Sequence, residues 1–181
     1  MLFRSSGRFA LPTEVPDAHV IRLPDEAERE RLARYPDGRL FPWGNTYRVG
    51  YANIDETAYS DRVGPYYLAR IAPVGIYPAG PLAVYDLSGN TSEWCLTTWD
   101  AGGYSADNSP DAVGHRVVRG GHYHQGTSFA RGASRTWGDP DPDDQYDPSH
   151  GFRLAIGPAF KSRVGEAYAA AMRWRAAHTT S

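Results

Sequence analysis

The densest run of metal-binding chemistry lies between Asp86 and Glu93. Asp-Leu-Ser-Gly-Asn-Thr-Ser-Glu carries two carboxylates, three hydroxyls and an amide. Calcium takes about six to eight oxygen ligands, and backbone carbonyls serve beside carboxylates. The same composition also makes a turn held by Asx-type hydrogen bonds with no ion, and composition alone does not separate the two. His122 and His124 stand two apart, so on a strand they would share a face. Two imidazoles can begin a copper, zinc or iron site, with His150 as the further candidate, although surface or packing histidines are the simpler reading. Cys95 is the single cysteine, which excludes an internal disulfide and a multi-cysteine metal site. It follows Glu93-Trp94 in an apolar run and reads as a buried small hydrophobe rather than a reactive thiol. Trp94 reads as a core ring. Arg119, Arg131, Arg135 and Arg153 lie beside apolar residues. They read as cations that pair with Asp and Glu and stitch loops to a sheet, with an anionic ligand site as the alternative.

Composition limits what these groups can serve. The chain has 181 residues, room for one domain. Its 19 basic and 21 acidic residues leave a net charge of −2, which argues against a nucleic-acid partner. No apolar run reaches the ~18–20 residues of a membrane span. The opening Met-Leu-Phe-Arg-Ser-Ser-Gly-Arg has no apolar signal core, so a cytoplasmic location is expected. With 19 Gly and 14 Pro the backbone must be largely irregular, and 12 Tyr and 5 Trp must fill a core or furnish a sticky surface.

The elements that would position the chemistry are few. A helix is expected after Arg22-Leu23, with Pro24 in its first turn, acids Asp25, Glu26 and Glu28 early, and Arg29, Arg31 and Arg34 late. Ala27, Leu32 and Ala33 give it a thin apolar stripe, and Pro36-Asp37-Gly38 ends it. Strands are expected over 92–98, 116–119 and 151–156, with 131–135 a weaker candidate. Arg119-Gly120-Gly121 reads as a strand ending at a glycine-dependent bend. Segments 100–114 and 138–149 read as loops. The Ala-rich stretch 163–178 reads as a helix, docked on its own domain or on a partner chain.

Seven segments, in this order and spacing, resemble the formylglycine-generating-enzyme (sulfatase-modifying factor) family. They are Arg22–Glu28, Phe41-Pro42-Trp43-Gly44-Asn45, Ala52-Asn53, Pro73–Pro78, Val84–Cys95, Arg116–Gly121 and Gly151-Phe152-Arg153-Leu154-Ala155. The resemblance implies an α+β fold of the C-type-lectin-like kind, with short twisted strands, few helices and long loops. It implies a domain over 22–158, an N-terminal arm over 1–21 and a C-terminal helical tail over 159–181. It also implies two calcium sites. One would use Asp86 and Glu93 by side chain with Gly89 and Thr91 by carbonyl. The other would use Asn53, Ile54, Asp61 and Val63.

The chain also departs from the family. Its oxidases place two cysteines shortly after Arg-Gly-Gly and bind copper(I) there, as soft thiolates favour that ion. Here that stretch is His122-Tyr123-His124-Gln125-Gly126-Thr127-Ser128-Phe129-Ala130-Arg131, with no cysteine. Copper or iron is therefore not expected, and a divergent oxidase or related metal-dependent enzyme is the alternative function. Arg29 and Arg31 stand where the family usually has aromatic residues. What remains resembles a recognition surface over 122–150. His122, Tyr123, His124, Gln125, Phe129, Trp137 and Tyr146 mix rigid rings with small polar groups. By analogy, the same region is the hypervariable ligand-binding face in retroelement-diversified proteins of this fold. The expected function is a non-catalytic module that binds a protein or peptide on a calcium-stabilised scaffold.

Overall fold

A computed structural model describes residues 14–57, 68–105, 107–140 and 149–160. In chain order the elements are β1 (His19–Arg22), α1 (Glu26–Arg34), β2 (Ser92–Thr98), β3 (Arg116–Arg119), β4 (Arg135–Gly138), β5 (His150–Gly151) and β6 (Ala155–Pro158). Four strands form one sheet in the order β4-β3-β2-β5. Within it β2, β3 and β4 are antiparallel and β5 runs parallel to β2. β1 and β6 form a separate antiparallel ribbon, pairing Ile21 with Ile156. β1 ends at Arg22, and its residues 19–22 pair with 155–158 of β6. Among the described residues no helix is long and apolar enough to cross a membrane.

α1 begins at Glu26, two residues after Pro24. Asp25 is the N-cap, and its carboxylate accepts from Glu28 N at 2.7 Å while Glu28 Oε2 accepts from Asp25 N at 2.9 Å. This reciprocal pair is a capping box, which satisfies two otherwise orphaned donors. Pro24 lies outside the helix, and its carbonyl accepts from Leu96 N of β2 at 3.0 Å. The buried face is Glu26, Arg29 and Ala33, whereas Ala27 is exposed and Leu32 only half-buried. The helix therefore docks largely through charged side chains, and of the apolar stripe read from its sequence only Ala33 is buried.

β2 and β3 have the expected bounds. β3 is buried along its whole length, with Val117 and Val118 fully enclosed. The expected 151–156 strand is two: residues 150–151 pair with β2, residues 155–158 with β1, and Arg153 turns inward between them. β4 lies at 135–138 and not 131–135, because Ser134 N closes a turn onto Arg131 O at 2.9 Å. A second core packs Phe41, Ala52, Ile54 and Ala130 with Trp43 and Tyr47 against it. Trp94 is half-buried, its ring edge-on to His150 at 5.2 Å.

Irregular backbone must still satisfy its carbonyls. Arginines do much of this. Arg116 donates to Leu96 O, to Ser109 O at 3.0 Å, to Pro110 O at 3.3 Å and to Ala112 O at 2.6 Å. Arg119 donates to Gly132 O, Ala133 O and Ser134 O and pairs with Glu26 and Glu30. Arg135 forms a two-pronged pair with Glu26 at 2.8 and 2.9 Å. Loop-stitching is thus the role of Arg119 and Arg135, while Arg131 is exposed.

Candidate functional site

The Asp86–Glu93 loop is built on left-handed backbone. Asp86, Gly89 and Asn90 have φ of 53, 76 and 69°. At Gly89 a Cβ would meet Asn53 O at 2.5 Å, so glycine is required by both conformation and space. The loop is held by backbone bonds from Gly89 N to Gly120 O (2.8 Å) and from Asn90 N to Asn53 O (2.8 Å). The Asn90 amide joins Asn53 Nδ2 at 3.1 Å and Ala72 N at 2.8 Å.

Two guanidinium groups sit against this oxygen-rich arc. Arg29 donates to Glu93 Oε2 at 2.5 Å and to Leu87 O at 2.9 Å. Arg153 donates through Nε and Nη2 to both oxygens of Glu93, and further to Asp86 O (3.0 Å) and Tyr85 O (3.2 Å). Burial alone would push the Glu93 carboxyl up, but the charges of Arg153 and Arg29 hold it below the ordinary glutamate range. Burial pushes the Arg29 guanidinium down, against the pull of Glu93. The Asp86 carboxyl is pushed up by burial, opposed by the Gly75 N–H at 2.7 Å and by Arg153.

This donor set does not fit calcium as the resemblance implies. Both oxygens of Glu93 already face guanidinium, the Asp86 carboxylate accepts from Gly75 N, and two buried cations would repel a third charge of the same sign. Thr91 and Gly89 frame the loop, with Gly89 bridged to Asn53. The second implied set differs. Asn53 is fully buried, its Nδ2 donates to Arg70 O at 2.8 Å, and its Oδ1 has no hydrogen-bond partner. A buried amide oxygen left unpaired is the state a cation ligand would relieve. Ile54 beside it is buried, and Asp61 and Val63 lie outside the described residues.

The two candidate histidines stand on a turn and not on a strand. After Gly120 and Gly121 (φ 97 and 69°) end β3, Gln125 N bonds His122 O at 2.9 Å and Phe129 N bonds Gly126 O at 3.1 Å. The turn is pinned from outside by Tyr123 N to Asn90 O (3.2 Å) and Asp55 N to Gln125 O (3.0 Å). His122, Tyr123 and His124 cluster their rings, with centroids 6.0 Å apart for His122–Tyr123, 4.1 Å for Tyr123–His124 and 6.4 Å for the two histidines. His124 and Phe129 are exposed, and His122, Tyr123 and Gln125 half-buried. His150 packs on Trp94 instead, and no group of three His, Cys, Asp or Glu side chains among the described residues could hold a metal.

Trp137 does not join this cluster. It pairs with Val117 near the start of β3, whereas His122 follows the end of that strand. Its ring stacks on His115 at 4.1 Å, and His115 Nε2 lies 3.3 Å from Asp139. The expected face thus divides between the two ends of β3. Tyr146 and segment 163–178 lie outside the described residues. Cys95 is 1% exposed, and burial pushes its thiol up to about 12.

Residues 4–158 match the family model described as the sulfatase-modifying factor enzyme 1-like domain. The formylglycine-generating enzyme of Thermomonospora curvata is 31% identical over 153 residues, covering 76% of this chain and 50% of that protein. The inactive C-alpha-formylglycine-generating enzyme 2 of Mus musculus is 29% identical over 141 residues, covering 74% of this chain and 42% of that protein. The chain thus spans half or less of these relatives' length. Among solved structures, Treponema denticola variable protein 1 superposes with a TM-score of 0.60 at 25% identity, covering 76% of this chain and 48% of that one. The fold is the α+β, C-type-lectin-like one that the sequence motifs implied.

Proposed function

The chain belongs to the sulfatase-modifying factor enzyme 1-like family, and we propose that it is a non-catalytic binding module for a protein or peptide. The observation that carries this reading is the His122–Phe129 turn. It offers adjacent amphipathic rings on a backbone pinned to Asn90 and Asp55, so few degrees of freedom are lost on contact. The same stretch has no cysteine, and the one thiol of the chain is buried with its proton tightly held. A relative named inactive and a neighbour named a variable protein support a use of this fold other than oxidation. Trp137, stacked on His115, forms a second, separate contact patch. Calcium at Asn53 and Ile54, with Asp61 and Val63, steadies the segment on which the turn rests.

The test is panning of a displayed peptide library on the immobilised chain, with selected peptides re-measured on variants. Tyr123→Ala should weaken selected peptides at least ~10-fold, the loss of one aromatic anchor. Trp137→Ala should weaken a different subset. Peptides bound equally well by wild type and both variants would refute the surface assignment.

A further inference from the structure

A cavity of about 480 Å³ opens on the outer side of α1 and belongs to none of the groups above. Its walls include Glu30, Arg31 and Arg34 of the helix, Tyr35 and Pro36 just after it, and Tyr104 from the loop that follows β2. That volume lies in the range of small-molecule sites, about 300–1,000 Å³.

We propose that this cavity is a binding site for a small aromatic carboxylate, with Arg31 as the group that takes its charge. The argument is an account of which polar atoms are already engaged. Glu30 Oε1 accepts from Arg34 Nη1 at 2.5 Å. Glu30 Oε2 accepts from Tyr104 Oη and from Arg119 Nη2, each at 2.5 Å. Glu30 is therefore neutralised twice over and offers little to a cation. Arg34 turns its other donors to Gly38 O (2.8 Å) and Arg39 O (3.4 Å). Arg31 has no hydrogen bond or ion pair among the described residues. Its guanidinium carbon lies 5.9 Å from the centroid of the Tyr35 ring. The wall therefore holds one uncompensated positive charge. A guanidinium fork binds a carboxylate through two parallel bonds, which favours that anion over a spherical one. Beside the fork stand two tyrosine rings and a proline. Arg135 lies over the Tyr104 ring at 4.8 Å, yet the residue is 59% exposed, so the uncovered part of the ring can take a flat apolar body.

The probe is 2-naphthoate, titrated into the full chain and followed by saturation-transfer NMR and calorimetry. 2-Naphthylmethylamine and 2-naphthylmethanol are the charge-reversed and neutral counterparts. Naphthoate should saturate with a Kd on the order of 1 mM or below, the amine should not bind, and the alcohol should bind weakly. Arg31→Gln should weaken naphthoate by about tenfold, and Arg31→Lys should fall between, because it keeps the charge and loses the fork. Arg48→Gln, an exposed cation over the Tyr51 ring elsewhere, should change nothing. Arg31 is exposed, so circular dichroism of its variants should match wild type. No saturation by naphthoate, equal binding of the amine, or unchanged affinity in Arg31→Gln would each overturn the assignment. None of these outcomes bears on the His122–Phe129 surface, which is tested with different variants.

Discussion

Glu93→Gln removes one negative charge from a site where two guanidinium groups are buried with it. Arg29, Glu93 and Arg153 are 1, 4 and 1% exposed, so none of the three can turn to water. The substitution keeps volume and one acceptor oxygen, and what is lost is the charge. Breaking a buried ion pair by neutralising one partner costs about 3–5 kcal/mol, because the other partner stays buried and unpaired. Here two cations are left, so the upper part of that range applies. Arg29→Met is the informative contrast. Arg153 already spans both carboxylate oxygens, so Glu93 stays paired when Arg29 is gone. The loss is one donor to Leu87 O and one to Glu93, offset by removing a buried cation that Arg153 repels. A net effect of about 0–2 kcal/mol follows. For a chain of this size 1 kcal/mol moves Tm by about 2–4 °C. Glu93→Gln should thus lower Tm by roughly 10 °C or more, and Arg29→Met by roughly half that or less. Thermal melts followed by far-ultraviolet circular dichroism give the two Tm shifts, and urea titration followed by tryptophan fluorescence gives the two free-energy changes. A Glu93→Gln variant within about 1 kcal/mol of wild type, or an Arg29→Met variant equally damaged, would refute the reasoning.

Acid should destabilise the fold. Glu93, Glu28 and Glu30 all titrate below the ordinary glutamate range when folded, Glu28 through its hydrogen bond to Arg22 and Glu30 through Tyr104, Arg34 and Arg119 against the effect of burial. The unfolded chain then takes protons first, so their contribution is complete above about pH 4.3 and is lost as pH falls through the folded values. Asp86, raised by burial, opposes this: its contribution is complete below about pH 3.9 and is lost as pH rises through its folded value, so a stability that rose on acidification towards about pH 4 would show that it dominates. Cys95 should resist thiol reagents in the native chain near pH 8 and react stoichiometrically once unfolded, and rapid native labelling would contradict its burial. Gly138→Ala should lose about 1–3 kcal/mol, because its Cβ would overlap the Trp94 ring; a thermal melt unchanged from wild type would show that the ring yields freely. Calcium should raise Tm, by about 2.7 kcal/mol of stability at a concentration 100-fold above its Kd. That increment should vanish in Asn53→Ala, and equal increments in the two proteins would remove Asn53 from the site.

β2 and β3 were legible because their signals are local. Ser92–Thr98 holds the short apolar run Trp94-Cys95-Leu96 between small polar residues, and Arg116–Arg119 is a β-branched pair stopped by two glycines. The existence of α1 was legible from Asp25 and Glu28, which cap it from within one turn. Its buried face was not, because Glu26 and Arg29 become core residues only through partners far along the chain. Arg135 is 109 residues from Glu26, and Glu93 is 64 from Arg29. Hydrophobic periodicity cannot register a stripe whose members are charged and paired at a distance. The turn at 122–125 was not legible from local sequence for a related reason. Its form depends on Asn90 and Asp55, which hold Tyr123 N and Gln125 O from outside.

The oxygen-rich loop makes the same point about function. Tyr85, Asp86 and Leu87 offer carbonyls and Glu93 a carboxylate, and such a set suits a hard cation or a guanidinium equally well. What decides between them is which positive group the fold delivers. Arg29 arrives on a helix whose docking is itself fixed by Glu26 N on Thr97 Oγ1 at 2.8 Å, and Arg153 arrives between two strands of different sheets. A buried charge once supplied by covalently attached side chains cannot be removed by chelation. The Glu93 centre should therefore be indifferent to EDTA while the Asn53 centre responds. That contrast separates the two sites that the sequence motifs presented as one kind.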